Sequence, residues 1–141
     1  MTTKRGELAV RTESRIQVVN VTGKVSEACG RLGLREGILL VSCRHTTCGL
    51  CLNEDEAGLR HDLERLGGSL LDPLRGREGY RHDEIDDNAQ AHLTSVLLGH
   101  SLTFPVADGR PVLGTWQSIL LLEMDGPRSR TLDLTFVGER A

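Results

Sequence analysis

Three histidines lie at positions from which an imidazole could bind a metal ion or carry a proton. His45 ends a predicted buried strand, His82 lies in a carboxylate-rich loop, and His92 lies on a predicted helix. Neutral imidazole is a favoured zinc ligand, and a catalytic zinc usually takes three protein ligands and a water molecule. No local spacing joins these histidines, and the alternative is that they are satisfied or solvated side chains. We interpret His61 and His100 in that second way.

The four cysteines form a second candidate group, in which Cys48 and Cys51 have the spacing of a zinc knuckle or a redox pair. The surrounding segment is predicted to be a strand, where an offset of three residues points two side chains to opposite faces. The sequence contains no second pair that would complete a four-sulfur zinc site. We therefore expect buried thiols that behave as small apolar side chains.

Two polar segments flank the most apolar stretch of the chain, Ile119–Leu122. Trp116 and Gln117 precede it and could stack on a flat ligand and hydrogen-bond to it, unless Trp116 simply packs on the sheet. Arg128 and Arg130 follow it and could bind phosphate in a bidentate manner, unless they are solvated turn residues. If the stretch is a strand, these segments lie on opposite rims of a sheet. A single site could then use both segments only in an oligomer.

The chain that positions these residues has 141 residues, which predicts a single domain covering residues 1–141. A net charge of −3 with interspersed signs argues against binding to nucleic acid. Residues 1–7 are too polar for a secretory signal, and no apolar stretch approaches the length of a membrane span. We therefore expect a cytoplasmic enzyme or binding protein without nucleic-acid or membrane partners.

The first half of the sequence predicts short strands and two helices. The predicted elements are an opening hairpin of Glu7–Thr12 and Ile16–Val21, a helix from Thr22 to Leu34, and strands over Ile38–Arg44 and Gly49–Asn53. Glu56–Leu66 is the clearest amphipathic helix, and Gly67-Gly68 is expected to end it. On its exposed face, Arg60 is expected to pair with Glu56 and Glu64 at i, i+4 spacing.

The second half predicts a further helix and an antiparallel meander. One of Asp86, Asp87 or Asn88 is expected to cap a helix that extends to Leu98. Asp108-Gly109 is a hairpin signal, and Asp125-Gly-Pro lies between the next two predicted strands. The apolar stretch 119–122 is typical of a central strand covered on both faces. The predicted fold is α+β: a single compact domain, mostly antiparallel sheet with two or three helices.

Nine short motifs follow one another along the chain: His45-Thr46-Thr47, Leu52-Asn53-Glu54, Arg60-His61-Asp62, Tyr80-x-His82, Ala91-His92, Leu97-Leu98-Gly99, Gly109-Arg110, Gly114-Thr115-Trp116-Gln117 and Asp125-Gly126-Pro127-Arg128. Each motif is weak alone, but taken together and in this order they resemble the YjbQ-like family, also called the secondary thiamine-phosphate synthase family. The match covers nearly the whole chain, from about Leu8 to Glu139. Three departures are Cys48, where the family usually has a small apolar residue, a shorter turn over Asp55–Gly58, and a trimmed loop over Asp83–Asn88.

The resemblance implies a homotrimer with sites between subunits and a histidine-lined pocket for a divalent metal, zinc or alternatively magnesium. His45, His82 and His92 match the pocket histidines of the family. The other matching motif positions are Asn53, Glu54, Trp116, Gln117 and Arg128. The family name implies a transferase that joins hydroxymethylpyrimidine diphosphate to thiazole phosphate, with a small phosphorylated metabolite as its partner.

The leading hypothesis is therefore a metal held by three histidines, beside arginines that neutralise the departing diphosphate. Glu54 or Asp62 would orient the histidines, and Arg128 and Arg130 would meet phosphate. Diphosphate chemistry favours magnesium on oxygen ligands, whereas imidazoles favour zinc, so the named activity could be a side activity. The alternatives are a non-enzymatic metal- or metabolite-binding homotrimer and a zinc hydrolase of unknown substrate.

Overall fold

A computed structural model of the protein describes residues 1–140. The strands of this range are β1 (Thr2–Arg11), β2 (Gln17–Asn20), β3 (Leu34–Cys43), β4 (Cys48–Asn53), β5 (Ser101–Ala107), β6 (Arg110–Pro111), β7 (Ser118–Glu123) and β8 (Ser129–Arg140). The helices are α1 (Thr22–Arg31), α2 (Ala57–Ser69), α3 (Asp72–Arg75) and α4 (Ala89–Leu98), with a 3₁₀ turn over Arg81–Glu84. The predicted α+β class is confirmed, with every strand pairing antiparallel.

The strands form two sheets rather than the single sheet that the sequence suggested. Sheet one has the order β1-β8-β3-β5-β6, and sheet two has the order β2-β7-β4. Inner-face residues of both sheets, together with residues of α1, form one buried aliphatic cluster, so the two sheets pack face to face. A second cluster lies between sheet two and residues of α2 and α4. The domain is therefore layered as sheet, sheet and helices.

Strand β7 is the central strand of sheet two and is buried on both faces, as its continuous apolar run predicted. Ile119 and Leu121 belong to the cluster between the sheets. Leu120 and Leu122 belong to the cluster under the helices. Side chains alternate across a strand, so a strand with apolar layers on both sides needs apolar residues at every position.

The predicted opening hairpin is wrong, because β1 pairs with β8 whereas β2 pairs with β7 in the other sheet. The expectation that the last two strands form a meander is wrong for the same reason: β7 and β8 belong to different sheets. The hairpin at Asp108-Gly109 is confirmed. Asp108 and Gly109 have φ values of 50° and 78°, the left-handed conformations that a tight two-residue hairpin turn requires.

Helix α2 continues through Gly67-Gly68, which were expected to end it. Gly67 is buried, and a Cβ atom added there would lie 3.2 Å from Leu122 and 3.3 Å from Met124. The glycine therefore lets the helix approach β7 closely rather than breaking it. The expected Glu56–Arg60–Glu64 ladder is also wrong, because Glu56 caps the helix through bonds to backbone N–H groups and Arg60 pairs with Asp55.

The cysteines occupy the places that the strand pattern predicted. Cys29, Cys43 and Cys48 are buried between the sheets, and Cys51 packs under the helices on the opposite face of β4. All four are free thiols. The helix α1 that carries Cys29 ends at Arg31, three residues earlier than expected. Over residues 1–140, no helix has the combination of length and apolar character that a membrane crossing requires.

Candidate functional site

The rings of His82 and His92 pack edge to face with their centroids 4.7 Å apart. His82 comes from the 3₁₀ turn and His92 from the second turn of α4, and the segment between them folds back so that the two side chains meet. His82 is exposed and His92 is half-buried. The two imidazoles therefore form an accessible pair of rings whose nitrogen atoms could act as metal ligands.

A buried amide fixes the protonation pattern of His82. Nε2 of His82 lies 2.9 Å from Oδ1 of Asn88, and Nδ2 of Asn88 donates to Oδ2 of Asp125 at 2.9 Å. A carboxylate only accepts hydrogen bonds, so Asn88 must turn its NH₂ group towards Asp125 and its oxygen towards His82. Nε2 of His82 therefore carries the proton. The lone pair of the neutral ring then lies on Nδ1, where it is available to a ligand.

Asp125 is 7 % exposed and remains ionised through its hydrogen bonds. Burial alone would raise the pKa of Asp125, but hydrogen bonds from Asn88 and Arg128 outweigh it, and the pKa is lowered. Arg128 donates to the Asp125 carboxylate at 2.9 Å and to its backbone carbonyl at 2.8 Å. Four side chains thus form a continuous hydrogen-bonded chain, Arg128–Asp125–Asn88–His82.

Asn88 occupies the N-cap position of α4, as expected, but its side chain does not cap the helix. The backbone N–H of Ala89 instead donates to Oδ1 of Asp83 at 3.0 Å. Asp83 therefore supplies the capping oxygen, which leaves the Asn88 amide free to join His82 to Asp125.

His45 lies in the connection between β3 and β4, where its Nε2 accepts a hydrogen bond from the backbone N–H of Thr131 at 2.9 Å. Burial lowers the pKa of His45, and the nearby charge of Arg130 lowers it further, so the ring is neutral at neutral pH. A neutral ring with Nε2 engaged carries its proton on Nδ1. In this arrangement His45 offers a hydrogen-bond donor, which opposes its predicted role as a metal ligand.

Two open clefts meet at His92. The first has a volume of about 680 Å³ and is lined by His45, His92 and His100 together with Cys43 and Arg44. The second has a volume of about 390 Å³ and contains both members of the histidine pair, beside Tyr80 and Arg81. Both volumes are within the usual range for small-molecule sites, about 300–1,000 Å³. His92 therefore lines both clefts, which places His45 and His82 on the same continuous surface.

The three histidines do not form one metal site within a single chain. Among residues 1–140, no three His, Cys, Asp or Glu side chains lie close enough together to hold one ion. The pair His82–His92 has the nitrogen donors that zinc accepts, rather than the oxygen donors that magnesium prefers. Two imidazoles alone leave a zinc site incomplete, so the rest of a site would have to come from outside the chain.

Arg130 was expected to bind phosphate, but the fold buries it. Its side chain is 3 % exposed and forms an ion pair with Glu123, which is fully buried. Arg130 also donates to the hydroxyl of Thr47 at 2.8 Å, and Thr12 donates to Glu123 at 2.7 Å. Burial raises the pKa of Glu123, but these partners lower it on balance. Arg130 therefore belongs to a polar network inside the core and does not face a ligand.

The other predicted site residues lie away from the histidines. Asn53 and Ser118 are register partners at one end of sheet two, next to Gln117 and Trp116, while Cys48 and Glu123 are partners at the other end. Six strand residues separate these ends by about 17 Å. The expectation that the two polar segments lie on opposite rims is therefore confirmed. Trp116 is 72 % exposed, so it does not pack on the sheet.

Glu54 and Asp62, which were predicted to orient the histidines, lie away from them within one chain. Glu54 follows β4 on the Asn53 rim, and Asp62 lies on α2, where its Oδ1 lies 3.6 Å from Nδ1 of His61. Asn53 accepts a hydrogen bond from the backbone of Glu54, and Gln117 accepts one from the backbone of Gly114. These side chains organise their own loops. Within the chain, Asn88 and Asp125 are the residues that orient His82.

The interior side of the His45 segment contains the thiols of Cys43 and Cys48, whose Sγ atoms lie 3.1 Å apart. This hydrogen bond lowers the pKa of Cys43 to about 7, against the effect of burial and with help from the charge of Arg130. The pKa of Cys48 is raised by the same bond and by burial. A polar cluster thus continues behind the wall of the larger cleft.

The fold and the paired histidines define a class: a small layered α+β protein with a histidine-lined surface cleft. The model of the family described as "UPF0047 protein YjbQ-like" matches residues 6–139, and the chain belongs to this family. A UPF0047 protein of Methanothermobacter thermautotrophicus is 41 % identical over 133 residues, covering 94 % of this chain and 91 % of the relative. A UPF0047 protein of Archaeoglobus fulgidus is 44 % identical over 124 residues, covering 88 % and 94 %.

Solved structures give the same result. A hypothetical protein from Aeropyrum pernix K1 superposes with a TM-score of 0.89 at 43 % identity, covering 96 % of this chain and 99 % of that one. A protein from Sulfolobus solfataricus P2, described as YbjQ-like and of unknown function, has a TM-score of 0.89 at 35 % identity, covering 98 % and 99 %. The predicted family and fold are therefore confirmed.

The predicted function as a thiamine-phosphate synthase is not upheld. The curated relatives carry only the UPF0047 designation, and the solved relatives are described as hypothetical or of unknown function. The geometry of the chain also removes half of the predicted arginine clamp, because Arg130 is buried against Glu123. Membership of this family therefore establishes the fold but does not establish the thiamine-phosphate synthase reaction.

Proposed function

We propose that this protein binds a divalent transition-metal ion, with zinc favoured, through His82 and His92. The observation that carries the proposal is the edge-to-face pair of imidazoles 4.7 Å apart, with the His82 proton held on Nε2 by Asn88. Histidine ligands in zinc sites commonly donate their other ring N–H to an oxygen acceptor, which fixes the tautomer and the orientation of the ring. The Asn88 oxygen supplies that acceptor here.

The donor set supports zinc over magnesium, because the pair presents nitrogen and not oxygen. A bound zinc ion would supply a positive charge that polarises an anionic ligand. The two clefts are also lined by arginines, Arg44 in the larger one and Arg81 in the smaller one. We therefore propose a small anionic metabolite, with phosphorylated compounds the first to test, as the occupant of the joined clefts.

A second copy would complete the site. We propose a homotrimer in which the rim carrying Asn53, Trp116 and Gln117 lies against the histidine cleft of a neighbouring copy. Three features support this arrangement: the open clefts, the incomplete metal ligation within one chain, and an exposed tryptophan about 17 Å from the histidine end of sheet two. His45, as a hydrogen-bond donor in the larger cleft, would then contact the metabolite rather than the metal.

Zinc titration of the purified full chain tests the metal proposal. Isothermal titration calorimetry should give binding that His82→Ala and His92→Ala each weaken by more than roughly a hundredfold, beyond the loss expected for a supporting residue. His61→Ala, at an exposed position on α2, is the matched control and should bind as the wild type does. Unchanged zinc affinity in both His82→Ala and His92→Ala, with circular dichroism showing folded protein, would rule the site out.

The assembly is tested separately. Trp116 is the only tryptophan of the chain, so its fluorescence reports on this rim alone. Light scattering should give the mass of a trimer, and dilution to the monomer should shift Trp116 emission to the red as the ring becomes solvated. A monomer at every concentration, or emission that does not change on dissociation, would exclude the proposed contact without affecting the zinc titration.

A further inference from the structure

The closest pair of thiols in the molecule joins the ends of two strands from different sheets. Cys43 is the last residue of β3 and Cys48 is the first residue of β4, and their Sγ atoms lie 3.1 Å apart. Both residues are buried, with exposed fractions of 4 % and 0 %. Cys29 lies on α1, and Cys51 points to the opposite face of β4.

We propose that Cys43 and Cys48 form a reversible intramolecular disulfide when the protein meets a hydroperoxide. A disulfide requires about 2.05 Å between the sulfur atoms, so the two side chains need to approach by about 1 Å. The two residues are strand ends on either side of the short connection 44–47, which has no regular secondary structure. The proposal does not depend on the metal site.

The surroundings assign different roles to the two thiols. Cys43 lines the larger cleft together with His45 and His92, so a small oxidant can reach it from solvent. Cys48 has no exposed surface and lies behind Cys43. Cys43 is therefore the thiol that is oxidised first, and Cys48 is the one that resolves the product.

The proposed oxidation by hydrogen peroxide takes two steps. The Cys43 thiolate attacks one oxygen of hydrogen peroxide, which breaks the O–O bond, forms a sulfenic acid and releases hydroxide that takes up a proton to become water. Cys48 then attacks the Cys43 sulfur, forming the S–S bond and releasing the sulfenic oxygen as a second water. The two thiols lose two electrons and the peroxide gains them. A dithiol reductant reverses the reaction.

The disulfide would close a ring that contains the four residues 44–47. Within this segment His45 accepts a hydrogen bond from Thr131, and Thr47 accepts one from the buried Arg130. Oxidation therefore adds a covalent constraint to one wall of the larger cleft. His82 and His92 lie on other elements, outside the ring that the disulfide closes.

Peptide mapping tests the proposal. The full chain is reduced, freed of reductant, exposed to hydrogen peroxide and alkylated in denaturant; two of its four thiols should resist alkylation. Trypsin cleaves after Arg44, so a Cys43–Cys48 bond should join peptides 36–44 and 45–60. Because the second peptide also contains Cys51, the same link must persist in Cys51→Ala. Dithiothreitol should restore all four thiols.

The variants give the deciding outcomes. In Cys48→Ala the link should disappear, and a dimedone adduct should accumulate on Cys43. Four alkylated thiols after peroxide treatment, a link to Cys29 or Cys51, or a link only between two chains would overturn the proposal. Mapping of the wild type, Cys29→Ala and Cys51→Ala leaves the reactive pair intact, so the result does not depend on whether Cys48→Ala folds.

Discussion

The side-chain amide of Asn88 donates a hydrogen bond to the carboxylate of Asp125 at 2.9 Å, although the two residues are separated by 37 positions in the chain. Both side chains are buried, and the amide oxygen of Asn88 faces His82. Because Asp125 can only accept, this one contact determines which nitrogen of His82 carries a proton. The tautomer of the neutral His82 ring, on the exposed surface, is thus set by a contact in the core.

Asn88→Ala should weaken zinc binding by roughly ten- to a hundredfold, because His82 loses the acceptor that fixes its ring. It should also lower the free energy of unfolding by about 1–3 kcal/mol, since the buried Asp125 loses a donor. Isothermal titration calorimetry and urea unfolding measure the two effects. His61→Ala, at an exposed position on α2, is the control; equal behaviour of the two variants would contradict the role of Asn88.

His45 should make the protein less stable in mild acid. The pKa of His45 is lowered in the folded state, so the unfolded chain takes up a proton below about pH 6.5 that the folded protein rejects. The contribution of His45 to stability is therefore complete above that pH and declines as the pH falls towards the folded-state pKa. Urea unfolding of wild type and His45→Gln, in buffer without metal between about pH 5 and pH 8, measures the difference.

In His45→Gln this part of the acid sensitivity should disappear, and Thr131 N–H can still find an acceptor in the glutamine oxygen. His61→Gln changes a histidine on the exposed face of α2 and serves as the control for general charge effects. A stability difference between wild type and His45→Gln that stays constant across this pH range would show that His45 titrates alike in both states.

Breaking the ion pair between Glu123 and Arg130 should be among the most destabilising single changes. Arg130→Met leaves a fully buried carboxylate without its main partner, at a cost of about 3–5 kcal/mol. The double variant Glu123→Leu/Arg130→Met removes both charges and should recover much of that loss. Chemical denaturation gives the three values, and additive losses would argue that the pair is not coupled.

Arg44→Met provides the surface comparison for this measurement. Arg44 pairs with Glu7 and Asp133 on the outer face of sheet one, where its side chain is 57 % exposed. Solvent screens such a pair, so its removal should change the unfolding free energy little. A loss as large as that of Arg130→Met would show that burial is not what makes the inner pair important.

Two helical glycines should respond in opposite directions to alanine. A Cβ atom at Gly30 in α1 meets nothing within 4 Å, so Gly30→Ala should stabilise the protein by about 0.5–1 kcal/mol through helix propensity. At Gly67 the new atom would press on Leu122 and Met124, both buried, so Gly67→Ala should be destabilising. Thermal unfolding of the two variants tests the contrast, and stabilisation by Gly67→Ala would mean that α2 can move away from β7.

Patterns confined to one segment predicted structure well. The run 119–122 correctly predicted a strand buried on both faces, and Asp108-Gly109 correctly predicted a hairpin, because both signals depend on neighbours in sequence. The opening hairpin failed because β1 and β2 each find a partner more than a hundred residues away. Gly67-Gly68 failed as a stop signal because close packing against β7 outweighs the entropic cost of glycine in a helix.

The sequence predicted the candidate site only in part, because neighbouring residues do not encode the contacts that form it. His82 and His92 were recognised by residue type, but their contact depends on a turn that the spacing of ten residues does not encode. Asn88 and Asp125 were noted as a helix cap and as part of a turn, and nothing local shows that they meet. Arg130 carries the same local signal as Arg128, but Arg130 lies within β8, where it meets Glu123 in the core, whereas Arg128 precedes the strand and is half-exposed.

The buried pair of Glu123 and Arg130 also has a consequence for how the two sheets find their alignment. Glu123 is on β7 in one sheet and Arg130 is on β8 in the other, so the two charges meet only when both strands are in their native register. A slip of one residue in either strand would turn the charged side chain of that strand to the opposite face. The charge on the second strand would then be left without a partner in an apolar layer. Misaligned sheets are therefore destabilised by a buried charge without a partner, and not only by the loss of apolar contacts.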